Sequence, residues 1–164
     1  MVPAPRWLTL AELAALAGRL ERRPCSERQA RYLLVACALG TELPRRPHGQ
    51  TRLYGPLDLA LLRLAVRLRR EGASAWLARV VLTYLRNDLV RAFRAAAPVA
   101  LAVRGVQASL EPALKQRPGW AAYWVPLRDV WAGLDAEIDR VVAGRDEIWM
   151  YKPVPVRAVP RGTA

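Results

Sequence analysis

The stretch HGQTRLYGPLDL, His48 to Leu59, decides how the first half of the chain is read. His48 and Gly49 make a turn, and the residues after it alternate, with Gln50, Arg52 and Tyr54 on one side of a short strand and Thr51 and Leu53 on the other. Gly55 and Pro56 then supply a permissive cap and a first-turn proline, and Asp58 sits near the positive end of the helix that follows. The stretch predicts a hairpin wing leading into a helix. Arg52 and Tyr54 are expected to face outward and Leu53 to anchor inward.

Towards the C-terminus, Leu57, Leu61, Leu64 and Leu68 give the launched helix an apolar stripe as far as about Glu71, and Gly72 closes it. SAWLARVVLTYLRNDLVRAFRAA, from Ser74, predicts a fourth helix of roughly six turns at about 3.6 residues each. Pro98 ends the run. Towards the N-terminus, Leu10, Leu13, Ala14 and Leu16 recur at helical spacing, with Thr9 and Glu12 as a capping box and Gly18 as the expected stop. Ser26 and Gln29 form a second capping box ahead of a helix from about Glu27 to Leu39, with Leu33, Leu34 and Cys37 facing the core. Two short helices joined by a turn, the second opening on Glu27, Arg28, Gln29 and Arg31, have the arrangement of a helix-turn-helix.

Beyond Pro98, VALAV reads equally as strand or helix, and GWAAYW is aromatic without clear period. From Pro126 to Ala143, Leu127, Trp131, Leu134, Ile138 and Val141 repeat by four and three, the spacing of a coiled-coil seam and also of an amphipathic helix packed on its own domain. Trp120, Tyr123, Trp124, Trp131, Trp149 and Tyr151 concentrate aromatic side chains here, and core or interface is the expected use rather than an effector site. The expected division is 7–95 as one unit of four helices and a hairpin, 99–152 as an accessory or dimerisation segment, and 153–164 as a Pro-rich tail. The fold class expected is mainly α: a winged helix-turn-helix with a C-terminal mixed or helical accessory segment.

Charge is distributed unevenly. Residues 1–94 hold 17 Arg against 7 acidic residues, whereas residues 95–164 hold 9 Arg and Lys against 7. The basic half is therefore the candidate nucleic-acid surface, and Arg favours planar, permanently charged contacts to phosphate. The longest apolar runs fall far short of a membrane span, and MVPAPRWLTL does not have the form of a secretory signal. A cytoplasmic, nucleoid-associated protein with no membrane partner is expected. One His and two Cys cannot make a four-ligand site in a monomer, and neither a nucleophile-base grouping nor a Gly-rich phosphate loop is apparent. No metal, cofactor or enzymatic activity is expected.

SERQARY at Ser26–Tyr32 and RLYGPLDLALLRLAVRLRREGAS at Arg52–Ser74, in the order helix, turn, helix, wing, helix, helix, resemble the MerR family of transcriptional regulators over about residues 8–85. The resemblance implies sequence-specific binding of double-stranded DNA by a homodimer, with RNA polymerase as a partner at the promoter. It places Arg28 and Gln29 at base edges and Arg31 and Tyr32 on phosphates, with Arg45, Arg46, Arg52 and Tyr54 as wing contacts. Leu127, Trp131, Leu134, Ile138 and Val141 are the candidate dimer seam. One or two of Arg63, Arg67, Arg69 and Arg70 are expected to extend the phosphate track. The alternatives are an architectural or excisionase- and segregation-type DNA-binding protein, and a basic module that binds an acidic protein.

Overall fold

The computed structural model describes residues 7–35, 53–113 and 116–144. Within them the chain forms α1 (Leu10–Leu20), α2 (Glu27–Leu34), α3 (Pro56–Arg70), α4 (Ala75–Arg94), β1 (Val99–Arg104), β2 (Gln107–Pro112), β3 (Tyr123–Pro126), α5 (Leu127–Trp131) and α6 (Leu134–Ala143). The architecture is mixed: helices and a three-stranded antiparallel sheet of order β2-β1-β3. The expectation of a mainly α chain therefore needs the sheet added to it.

Both N-terminal capping boxes form. Thr9 Oγ1 accepts from the Glu12 amide while Glu12 Oε2 accepts from the Thr9 amide at 2.8 Å, so donors that α1 would leave unpaired are satisfied. α1 does not stop at Gly18 but runs on to Leu20. It closes in a Schellman arrangement, Arg22 N donating to Arg19 O and Arg23 N to Gly18 O, with Arg22 in the left-handed region at φ 52°. Gly18 has a different use. A Cβ there would lie 3.0 Å from both Arg23 O and Cys25 N, so its missing side chain lets the connection to α2 lie against α1.

α3 is the central element. Leu59, Ala60, Leu61, Leu62, Leu64 and Ala65 have no exposed surface, because α1, α2, α4, β3, α5 and α6 all pack on it. One hydrophobic cluster accordingly runs from Leu8 to Val142, across the expected boundary at 95–99. Trp7–Thr9 and Leu53–Gly55 meet in a single antiparallel bridge, Leu8 to Tyr54, with both N–H to O=C distances 2.8 Å. This bridge buries both Leu53 and Tyr54. The expectation that Tyr54 faces outward is corrected: its side chain, 7% exposed, belongs to the core cluster.

β1 resolves the ambiguity of VALAV. As the central strand it buries Ala100, Leu101, Ala102 and Val103 completely, and a strand covered on both faces shows no alternation. Leu101 pairs with Leu110 and Val125 on the face that joins the core, while Ala102 pairs with Ser109 and Trp124 on the other.

The expected seam is broken and turned inward. Ala132 and Gly133, the latter at φ 72°, separate α5 from α6, so no continuous helix carries the repeat. Leu127, Leu134 and Ile138 are at most 1% exposed, and Val141 is partly buried against the same cluster. Trp131 stacks on Phe93 of α4 with ring centroids 5.6 Å apart. These five residues are corrected from a dimer seam to a face packed on the chain's own core. No helix among the described residues is long and apolar enough to cross a membrane.

Candidate nucleic-acid interface

α2 is short, and its placement depends on what it buries. Ala30, Leu33 and Leu34 lie at i, i+3 and i+4 and are nearly inaccessible, so one stripe is fixed to the core and the opposite stripe faces solvent. That outer stripe carries Arg28, Gln29, Arg31 and Tyr32. Among the described residues Arg28 and Arg31 are exposed and have no ion-pair partner, so each guanidinium keeps its donors available.

Gln29 is arranged differently from what base reading requires. Its Oε1 accepts from the Ser26 amide at 2.9 Å, and its own backbone N–H donates to Ser26 Oγ at 3.2 Å. The side chain is folded back as the second half of the capping box, and bidentate contact with adenine needs it to leave that position. Tyr32 is 38% exposed, and the Arg79 guanidinium lies 4.7 Å from its ring centroid, a cation-π contact that ties α2 to α4. Tyr32 is thus partly engaged within the protein.

The four α3 arginines are all hydrogen-bonded within the protein. Arg63 is buried. Its Nε donates to Glu21 Oε1 at 2.9 Å and its Nη1 to the Val130 carbonyl at 2.6 Å, with longer contacts to the carbonyls of Asp129 and Ala132. Those carbonyls end α5 and have no partner within the helix, so Arg63 caps α5 from α3. Arg67 Nε donates to the other oxygen of Glu21 at 2.8 Å, and Arg70 Nη1 donates to the Glu21 backbone carbonyl at 3.1 Å. Glu21, with no exposed surface, therefore gathers three arginines from successive turns of α3. Arg69 donates to the Ala73 carbonyl at 3.1 Å.

No local sequence pattern marks Glu21, yet its role has a mechanical consequence. It is the C-cap of α1 and stands in the connection to α2, so holding it on α3 fixes the point from which α2 departs. An ion pair between Arg19 of α1 and Glu137 adds a second tie, from α1 to α6. Arg45, Arg46 and Arg52, with His48 and Cys37, lie outside the described residues, as do Trp149 and Tyr151.

No family model, curated protein or solved structure matches this chain.

Proposed function

We propose that this protein is a sequence-specific double-stranded DNA-binding regulator of MerR type, a winged helix-turn-helix acting as a homodimer. The observation that carries the reading is the contrast between the two sets of arginines. Arg63, Arg67 and Arg70 of α3 are taken up by Glu21 and by the end of α5, whereas Arg28 and Arg31 on α2 have no ion-pair partner among the described residues and face solvent. A helix fixed at its N-terminal end by a capping box and fastened by an apolar stripe presents those cations in constant geometry, which base readout requires. Arg28 is assigned to a guanine edge and Arg31 to phosphate. The wing contacts Arg45, Arg46 and Arg52 rest on the resemblance, as do the homodimer, the RNA polymerase partner and the nucleoid location. The dimer would use a surface other than the α5–α6 face.

The test is affinity for duplex DNA as a function of salt. A phosphate-driven binder loses about 0.9 log units per contacted phosphate for each log unit of salt. Arg28→Ala is expected to weaken a selected site by about 1–3 kcal/mol while leaving random duplex nearly unchanged, and Arg31→Ala to weaken both alike and flatten the salt slope. Equal losses on every sequence would assign the protein to the architectural class. No duplex binding at low salt would remove the DNA reading and favour an acidic protein partner.

A further inference from the structure

Behind the outward face of α2 lies a pocket of about 210 Å³. Its rim carries Arg23, Arg28 and Arg69, and its wall includes Pro24, Leu33 and Val66. Three elements and a connection build it: the α1–α2 connection, α2, the C-terminal half of α3, and Ala75 at the start of α4. Three cations and no carboxylate line it, and among the described residues neither Arg23 nor Arg28 has an ion-pair partner. The positive field of the rim is thus left uncompensated beside an apolar wall.

From this geometry we infer a binding site for a small organic carboxylate with an apolar body of about one ring or a short alkyl chain. The volume sets the size, since a cavity of about 150 Å³ accommodates one benzene and drug-sized ligands occupy about 300–1,000 Å³. The rim sets the charge: a carboxylate accepts from two guanidinium groups at once, with charge-assisted bonds that a neutral ligand cannot match. The wall sets the body, because the Leu33 and Val66 side chains offer no polar partner, and Cys25, Tyr32 and Gln29, whose side-chain oxygen is held by the Ser26 amide, complete the lining.

The site also has a regulatory consequence, which rests on the proposed DNA contact of Arg28. A carboxylate that engages Arg28 withdraws that guanidinium from a base edge, so ligand and duplex compete. Ligand binding to the pocket is independent of that reading.

The experiment is calorimetric titration of the full chain with benzoate, phenylacetate and hexanoate, against benzamide, hexanamide and inorganic phosphate. At least one carboxylate is expected to bind about tenfold or more tightly than its neutral amide, the factor set by one hydrogen bond to a charged group. Arg23→Gln should cost about tenfold as well. Ala75→Leu should abolish binding by filling the pocket, and the melting temperature of each variant shows whether the fold is retained. Binding by none of the carboxylates overturns the inference, as does equal binding of the amides. Phosphate binding as tightly as any carboxylate also overturns it, reducing the site to a seat for a DNA phosphate. In a parallel polarisation titration with duplex, saturating carboxylate should weaken DNA binding, and unchanged affinity removes the shared use of Arg28. Carboxylate binding by a protein that binds no duplex leaves the pocket standing and sinks the DNA reading.

Discussion

Arg63 Nε donates to Glu21 Oε1 at 2.9 Å where both side chains are almost wholly withdrawn from solvent, joining residues 42 positions apart. The pair is compensated on both sides: Glu21 also accepts from Arg67, and Arg63 also donates to the carbonyls that end α5. Such a buried network contributes less through its own attraction than it costs when broken, because one remaining charge is stranded in a poorly solvated place. Glu21→Ala leaves Arg63 in that state. Chemical denaturation is expected to show a loss of about 3–5 kcal/mol, and a loss below about 1 kcal/mol would mean that water reaches the site freely.

The connection that Glu21 anchors yields two substitutions of opposite sign. Gly18→Ala forces a Cβ against the backbone of Arg23 and Cys25 at 3.0 Å, and overpacking of this kind is expected to cost about 1–3 kcal/mol despite the better helix propensity of Ala. Arg22→Gly relieves a left-handed side chain, worth about 1–2 kcal/mol, against about 0.5–1 kcal/mol of added chain entropy. A net gain of up to about 1.5 kcal/mol is expected. Denaturation midpoints at unchanged slope are the measurement, and a stabilising Gly18→Ala would show that the connection does not press on α1.

What the sequence disclosed here was local. The capping boxes at Thr9 and Ser26, and the proline start of α3, depend on residues within one turn of each other, and all appear as expected. What it concealed required knowledge of distant partners. A charged residue at helical spacing ordinarily marks a solvent face, and nothing near Arg63 announces that Glu21 and the end of α5 will enclose it. Alternation turns Tyr54 outward only on a strand with one wet face, whereas the bridge to Leu8 goes with burial of both adjacent residues, 53 and 54. The four-three repeat at Leu127–Val141 is common to a dimer seam and to a helix on its own core, and Gly133 gave a local hint of the break. For the candidate interface, Arg28 and Arg31 were legible as exposed positions on an amphipathic helix. The enclosure of Arg63 and Arg67 was not.

The inward seam makes a prediction that separates core from interface. Ile138 has no exposed surface, so Ile138→Ala removes buried volume within one chain and should cost about 2–5 kcal/mol. The loss in melting temperature is expected to be the same over a wide range of protein concentration. A loss that grows as concentration rises would return Ile138 to a dimer interface, because association then stabilises the unaltered chain by mass action more than the variant.

Cys25 supplies a pH dependence whose sign follows from its surroundings. Burial pushes its thiol above the ordinary value of 9.0, with the nearby Arg23 charge pulling the other way, and the thiol donates to the Ser26 carbonyl at 3.7 Å, which also favours the neutral form. A group whose pKa is raised by folding contributes stability that is fully present below its unfolded value and is lost as pH rises through the folded one. Folding stability should therefore decline above about pH 9 by a component that Cys25→Ala removes. Alkylation by iodoacetamide consumes the thiolate, so its rate at Cys25 should rise with a midpoint above 9.0, and Arg23→Ala should move that midpoint higher still. Peptide-resolved mass spectrometry distinguishes Cys25 from Cys37. A midpoint at or below 9.0 would mean that the Arg23 charge outweighs burial, and the stability component would then reverse its sign.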